Sequence, residues 1–138
     1  KYYHAQITDT LKGRQPKNLV VTDFISDMAA AYKAADLVIS RAGASSISEF
    51  CLIGKPVILV PSPNVAEDHQ TKNAMALVEK QAAIYVKDAD APATLLKQAI
   101  ELVNDDKKLQ NLSANILTLA LPDSATIIAK EVIKIMRK

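Results

Sequence analysis

Apolar positions along the chain change period repeatedly. Leu19–Val21, Leu37–Ile39, Val57–Val60 and Ala83–Val86 are short apolar runs rich in β-branched residues and without polar alternation, the pattern of strands buried on both faces. Helical spacing fills the intervals. Lys1–Leu11 reads as a helix ending near Gly13 and Pro16, and Met28–Ala35 as an alanine-rich helix opened by Ser26 or Asp27. Ala44–Ile53 is stopped by Gly54 and Pro56, a glycine at the C-terminal cap followed by a proline that cannot continue the helix. His69–Lys80 is a further helix, and Pro92 opens another. Leu95, Leu96, Ala99, Ile100 and Val103 then recur at helical spacing, followed by Leu109, Leu112, Ile116 and Leu119, and by Ile128, Val132, Ile135 and Met136. Alternating strands and helices predict an α/β domain with a doubly wound parallel sheet and right-handed crossovers, on which the helices of about 92–138 pack.

At 138 residues the chain has the length of one domain. Apolar residues make up 49% and charged residues 23%, with three glycines and six prolines, which excludes disordered and low-complexity classes. The single cysteine forms no internal disulfide, and with two scattered histidines it gives no zinc spacing, so no metal site or cofactor is expected; a reducing cytosol is the natural compartment. No apolar run approaches the roughly 18 residues of a membrane span, so any membrane contact is from the surface. A net charge of +2, four tyrosines, two phenylalanines and no tryptophan advertise no nucleic-acid partner, and none is expected.

In open parallel sheets, ligands bind beyond the carboxyl ends of the strands, where helix N-termini present free amides. Three such junctions carry unusual polar content. The first is Leu37-Val38-Ile39-Ser40-Arg41-Ala42-Gly43-Ala44-Ser45-Ser46-Ile47-Ser48-Glu49. Gly43 permits a tight turn, and small residues at 44–46 let an anion approach the first helical turn. Glu49, one turn in, is placed to accept hydrogen bonds from a ribose diol. The competing explanation is a capping box between Ser46 and Glu49. The second junction, Val20-Val21-Thr22-Asp23-Phe24-Ile25-Ser26-Asp27, offers the apolar side chains of Phe24 and Ile25 to a nucleobase, though a hydrophobic staple accounts for Ile25 equally well. In the third, Pro61–Asn73, Gln70 shares a helical stripe with Ala74 and Leu77, so its amide overhangs the cleft; Asp68 reads as an N-cap and His69 as a surface or cap residue.

The remaining candidates read as structural. Asp88-Ala89-Asp90 is expected to cap the helix at Pro92 rather than hold a metal. Cys51 lies on a buried stripe without an activating histidine. Lys130, Lys134, Arg137 and Lys138 form a solvated face, and neither GxGxxG nor GxxxxGK[ST] occurs.

Val21-Thr22-Asp23-Phe24-Ile25, Ala35-Asp36-Leu37-Val38-Ile39-Ser40-Arg41-Ala42-Gly43-Ala44, Ser48-Glu49, Gly54-Lys55-Pro56 and Asp68-His69-Gln70-Thr71-Lys72-Asn73-Ala74 together resemble the donor-binding half of the MurG family. These transferases move N-acetylglucosamine from UDP-GlcNAc to lipid I in peptidoglycan synthesis. The order and spacing match over nearly the whole chain. The resemblance implies the C-terminal domain of a GT-B fold, incomplete on its N-terminal side, since the chain enters on a helix where such a domain normally begins with a strand. A natural domain beginning with this helix is the alternative.

By the same resemblance, Ile25 meets the uracil, Gly43, Ala44, Ser45, Ser46, Ile47, Ser48 and Glu49 surround the diphosphate and ribose, and Gln70 contacts the GlcNAc hydroxyls, with Phe24 and His69 in adjoining positions. The resemblance places the acceptor, lipid I, and any catalytic base in an N-terminal half, and the parent enzyme peripherally on the cytoplasmic face of the bacterial inner membrane. It leaves open a non-catalytic UDP-sugar-binding subunit of a split N-acetylglucosaminyltransferase, or another GT-B enzyme such as a UDP-GlcNAc 2-epimerase.

Overall fold

A computed structural model describes Asp9 and residues 16–136. The helix expected over Lys1–Leu11 lies outside these residues, apart from Asp9, which is helical. The chain divides after Ala34 into two compact units, each treated by itself.

In the first unit, α1 spans Met28–Ala34. Asp27 is the residue that opens it: its Oδ1 accepts from the backbone amide of Ala30 at 2.9 Å, satisfying one of the amides a helix start leaves unpaired. Leu19–Val21 does not form the expected strand. The Leu19 amide donates to the Pro16 carbonyl in a local turn, and Val20 is 84% exposed. Three residues become a strand only when a neighbouring backbone takes their hydrogen bonds, and no such ladder reaches them among the described residues.

The second unit carries the sheet. Strands β1 (Val38–Ser40), β2 (Val57–Leu59) and β3 (Ile84–Tyr85) pair in parallel in the order β1-β2-β3, with Ile39 opposite Ile58 and Ile58 opposite Ile84. Helix α2 (Ala44–Ile53) joins β1 to β2, and α3 (His69–Val78) joins β2 to β3. Two crossovers running in the same direction and of the same hand lie on one face of the sheet. Phe50, Cys51, Ala74 and Leu77 are the buried positions of these helices.

The other face packs on α4 (Ala91–Val103) and α5 (Asp106–Leu117). There Ile58, Val60 and Val86 meet Ala99, Leu102 and Leu112, flanked by Leu95 and Leu109. Every residue of β2 is fully buried, which explains its lack of polar alternation; removal of each side chain from water contributes about 1.5 to 3 kcal/mol. Of the three C-terminal helices expected on the sheet, α4 and α5 supply this core, while α6 (Ser124–Met136) has no buried residue.

Helix α2 ends as its sequence specifies. Gly54 adopts the left-handed conformation at φ 64°, and its amide returns to the Phe50 carbonyl. A Cβ built on Gly54 would lie 2.6 to 2.9 Å from the Leu117 side chain, so the glycine serves both the turn and the close passage of α5. Ser113 Oγ donates to the Gly54 carbonyl at 2.7 Å, fastening the same joint from α5.

Candidate functional site

The carboxyl ends of β1, β2 and β3 open onto the start of α2, the start of α3 and the turn at Asp88–Asp90. Gly43 is the N-cap of α2, at φ −70° and ψ 143°, and its carbonyl accepts the first intrahelical bond, from Ile47 at 3.0 Å. The amides of Ala44, Ser45 and Ser46 therefore precede the point at which intrahelical bonding begins, and the helix dipole adds positive potential there.

Two expectations change at this point. Gly43 does not make a tight turn, because its extended backbone suits any residue. Its lack of a side chain matters for space instead: a Cβ there would have only Ser46 Oγ within reach, at 4.0 Å, and would stand in the open approach to the helix end. The capping box is also absent. Ser46 lies inside the helix, three residues past the cap, and no side chain caps α2. Ala44, Ser45, Ser48 and Glu49 are exposed, Ser46 and Ile47 partly so, and Ser48 Oγ is occupied by the Ala44 carbonyl at 3.0 Å.

Gln70 projects from the first turn of α3 toward this helix end. Its Oε1 accepts from the backbone amides of Ser62 at 2.9 Å and Ala42 at 3.3 Å. Two converging N–H donors fix the identity of that atom as oxygen, so the amide nitrogen is turned the other way. Asn73, one turn later, donates from Nδ2 to the Ala42 carbonyl at 3.2 Å. Ala42, fully buried, is thereby held at both its amide and its carbonyl by α3.

The loop leading into α3 is strained. Glu67 and Asp68 take left-handed φ values of 55° and 51°, which cost non-glycine residues about 1 to 2 kcal/mol each. Asp68 stands at the N-cap position, but with this backbone its side chain makes no capping bond, contrary to expectation. His69 Nδ1 lies 2.8 Å from the Ala66 carbonyl; a carbonyl only accepts, so Nδ1 carries the proton and Nε2 faces outward.

Asp88, expected to cap α4, instead forms an ion pair with Arg41, because the three-residue turn at 88–90 sets it beside the end of β1. Asp90 takes the N-cap position without a side-chain cap. No cluster of histidine, cysteine, aspartate or glutamate suited to a metal occurs among the described residues.

Phe24 and Ile25 belong to the first unit, where they are 80% and 44% exposed. Thr22 Oγ1 donates to the Phe24 carbonyl at 2.8 Å, folding the segment on itself. With Asp27 as cap, the staple position is Ser26, so a hydrophobic staple does not account for Ile25.

Sequence reasoning passed over Arg41 and Asn73 as site residues. The available signals were the adjacency of Arg41 to Ala42-Gly43 and the one-turn spacing of Asn73 from Gln70. Burial pushes the Cys51 thiol up from its ordinary range, in keeping with an inert core position. A concavity of about 590 Å³ between Asp36, Lys55, Pro56 and Gln110 lies at the amino ends of β1 and β2, the wrong end of a parallel sheet for a ligand.

The chain is similar to known proteins over most of its length. Residues 2–128 match the glycosyltransferase family 28 C-terminal domain. A UDP-N-acetylglucosamine--N-acetylmuramyl-(pentapeptide) pyrophosphoryl-undecaprenol N-acetylglucosamine transferase of Bacteroides thetaiotaomicron is 69% identical over 137 residues, covering 98% of this chain and 37% of that protein. Its namesake in Cytophaga hutchinsonii is 53% identical over 136 residues, covering 99% of this chain and 36% of that protein. The chain thus spans a little over a third of the length of these relatives. The crystal structure of Acinetobacter baumannii MurG superimposes with a TM-score of 0.80 at 31% identity, over 94% of this chain and 40% of that one. A kitacinnamycin glycotransferase shares the fold at a TM-score of 0.65. With its parallel sheet, flanking helices and this match, the chain belongs to the glycosyltransferase family 28 C-terminal domains, the Rossmann-like half of a GT-B fold.

Proposed function

We propose that this chain is the donor-binding part of a transferase that moves N-acetylglucosamine from UDP-GlcNAc to lipid I, forming lipid II. The observation that carries the reading is the uncapped start of α2, with a glycine where a side chain would obstruct it and the amide of Gln70 turned toward it. Helix amides stabilise negative charge, and the departing UDP gains negative charge on its diphosphate as the glycosidic bond breaks.

In this reading the amides of Ala44, Ser45 and Ser46 hold the diphosphate, Ile47 and Ser48 shape the same turn, and Glu49 accepts from the ribose hydroxyls. Gln70 donates to GlcNAc hydroxyls, because its carbonyl oxygen is already engaged. The family resemblance further assigns Ile25 to the uracil, and Phe24 and His69 to weaker roles toward the donor. Inversion at the anomeric carbon requires a base on the acceptor side, which this reading assigns, with lipid I recognition, to a portion of the parent enzyme outside this chain. No described helix is long and apolar enough to cross a membrane, and work at the cytoplasmic membrane surface belongs to the same proposal because the acceptor is a lipid.

A thermal-shift titration of the full-length protein with UDP-GlcNAc, UDP and NAD tests the reading. Stabilisation by the two uridine ligands and none by NAD is expected, since a ligand that binds the folded state stabilises it by an amount that grows with the logarithm of its concentration relative to Kd. Equal response to all three, or to none, overturns it.

A further inference from the structure

Arg41 takes no part in the site as read from the sequence, yet its side chain joins the ends of all three strands. It follows β1 directly. Its Nη1 donates to the carbonyls of Val60 at 3.1 Å and Pro61 at 3.3 Å, both just beyond β2, and pairs with Asp88, just beyond β3. The next residue along from these carbonyls, Ser62, gives its amide to Gln70 Oε1 at 2.9 Å. Gln70 Oε1 also accepts from Ala42, the neighbour of Arg41, at 3.3 Å. The interactions close a ring: Arg41 side chain, residues 60–62, Gln70 oxygen, Ala42 amide, and back to Arg41.

A ring of this kind has a directional consequence. The Gln70 amide is oriented by two backbone donors, and one of them, Ser62, follows a segment held by the Val60 amide's bond to the Ser40 carbonyl at 2.9 Å and by Arg41, which grips the Val60 and Pro61 carbonyls. Truncating Arg41 leaves the Val60 and Pro61 carbonyls and the Asp88 carboxylate without their shared donor, and the 60–62 segment loses the contact that sets Ser62 against Gln70. The amide plane of Gln70 is then fixed less firmly on the Ser62 side than on the Ala42 side. Arg41 itself is half exposed, 52% for its side chain against 36% for Asp88, so the ring lies at the rim of the site rather than in the core.

We infer that Arg41 is a positioning residue for sugar recognition: through the loop after β2 it holds the Gln70 amide with its nitrogen toward the donor sugar. This rests on the reading of Gln70 as a contact to the sugar. The inference requires Arg41 to act on the sugar end of the donor and not on the nucleotide.

The test is a double-mutant cycle in the full-length protein, read by calorimetric affinities for UDP-GlcNAc and for UDP. Arg41→Ala is expected to weaken UDP-GlcNAc about tenfold, the loss of one well-made hydrogen bond, while changing UDP less than about twofold. In a Gln70→Ala background the same substitution is expected to have no further effect, because the group it positions is gone. Asp88→Asn, which removes only the charge that steadies the guanidinium, is expected to shift the same ratio in the same direction by less. A parallel fall in UDP affinity overturns the inference, since Arg41 then acts on the nucleotide or on the fold as a whole. Additive losses in the double variant overturn it as well. If Gln70→Ala alone leaves the ratio of the two affinities unchanged, the reading of Gln70 fails first; if Gln70→Ala shifts the ratio and Arg41→Ala does not, only the positioning role fails.

Discussion

The two glycines that bracket α2 are expected to respond to the same substitution in opposite ways. At Gly54 an alanine meets a backbone at φ 64° and a Leu117 side chain 2.6 to 2.9 Å from the new methyl. Left-handed backbone costs about 1 to 2 kcal/mol and overpacking about 1 to 3, offset by somewhat less than 1 from the stiffer unfolded chain, leaving a loss of roughly 2 to 4 kcal/mol. For a chain of 138 residues this lowers Tm by roughly 7 to 14 °C. At Gly43 the backbone, at φ −70°, already suits alanine, and the nearest atom is 4.0 Å away. The stability change there is expected to stay within about 1 kcal/mol, the scale of an N-cap preference. The added methyl, however, stands where a diphosphate would approach the helix amides, and a loss of donor affinity of at least about tenfold, or 1.4 kcal/mol, is expected. Thermal unfolding followed by circular dichroism, with calorimetric titration of UDP, separates the two effects. A Gly43→Ala variant that binds UDP normally would refute the assignment of the α2 amides to the diphosphate, and an unshifted Tm for Gly54→Ala would refute the packing argument.

Further outcomes follow from other parts of the site. Glu49→Ala is expected to weaken UDP-GlcNAc by about 1 to 3 kcal/mol, the range of a charge-assisted hydrogen bond, and unchanged affinity in calorimetry would exclude the ribose role. Gln70→Ala should reduce discrimination between UDP-GlcNAc and its C4 epimer while leaving UDP binding nearly intact; competition binding with the three ligands measures this. Asp68→Gly relieves a left-handed φ of 51°, worth about 1 to 2 kcal/mol, against somewhat less than 1 for the looser unfolded chain, so stability is expected to rise by up to about 1 kcal/mol, visible as a higher urea midpoint at unchanged slope. Because burial raises the Cys51 thiol, its folded form holds the proton more tightly than the unfolded chain does. Its contribution to stability is therefore complete below the ordinary thiol range and declines as pH rises through it, and Cys51→Ala should flatten that alkaline decline.

Much of this architecture was legible in the amino-acid order. Val57-Ile58-Leu59 carries no polar alternation because it is the central strand, and Gly54 before Pro56 marked the end of α2 to the residue. Leu19–Val21 looked equally strand-like, but a strand is a property of two backbones, and composition says nothing about whether a partner is in reach. The polar side chains were harder still. Asp88 and Arg41 are 47 positions apart, and neither spacing nor propensity announces that two turns will bring them together. For Gln70 the helical stripe indicated an amide turned away from solvent, and the structure engages its oxygen with the amides of Ala42 and Ser62, a pairing that periodicity does not encode.

The joint at Gly54 bears on how finely the opposite end of α2 can be aimed. A ten-residue helix is a rod roughly 15 Å long, and this one is clasped at its heel by Leu117 and Ser113 of α5. A shift at that heel tilts the tip as well, so in the proposed reading variation at position 117 is a means by which grip on the diphosphate changes without any contacting residue being altered.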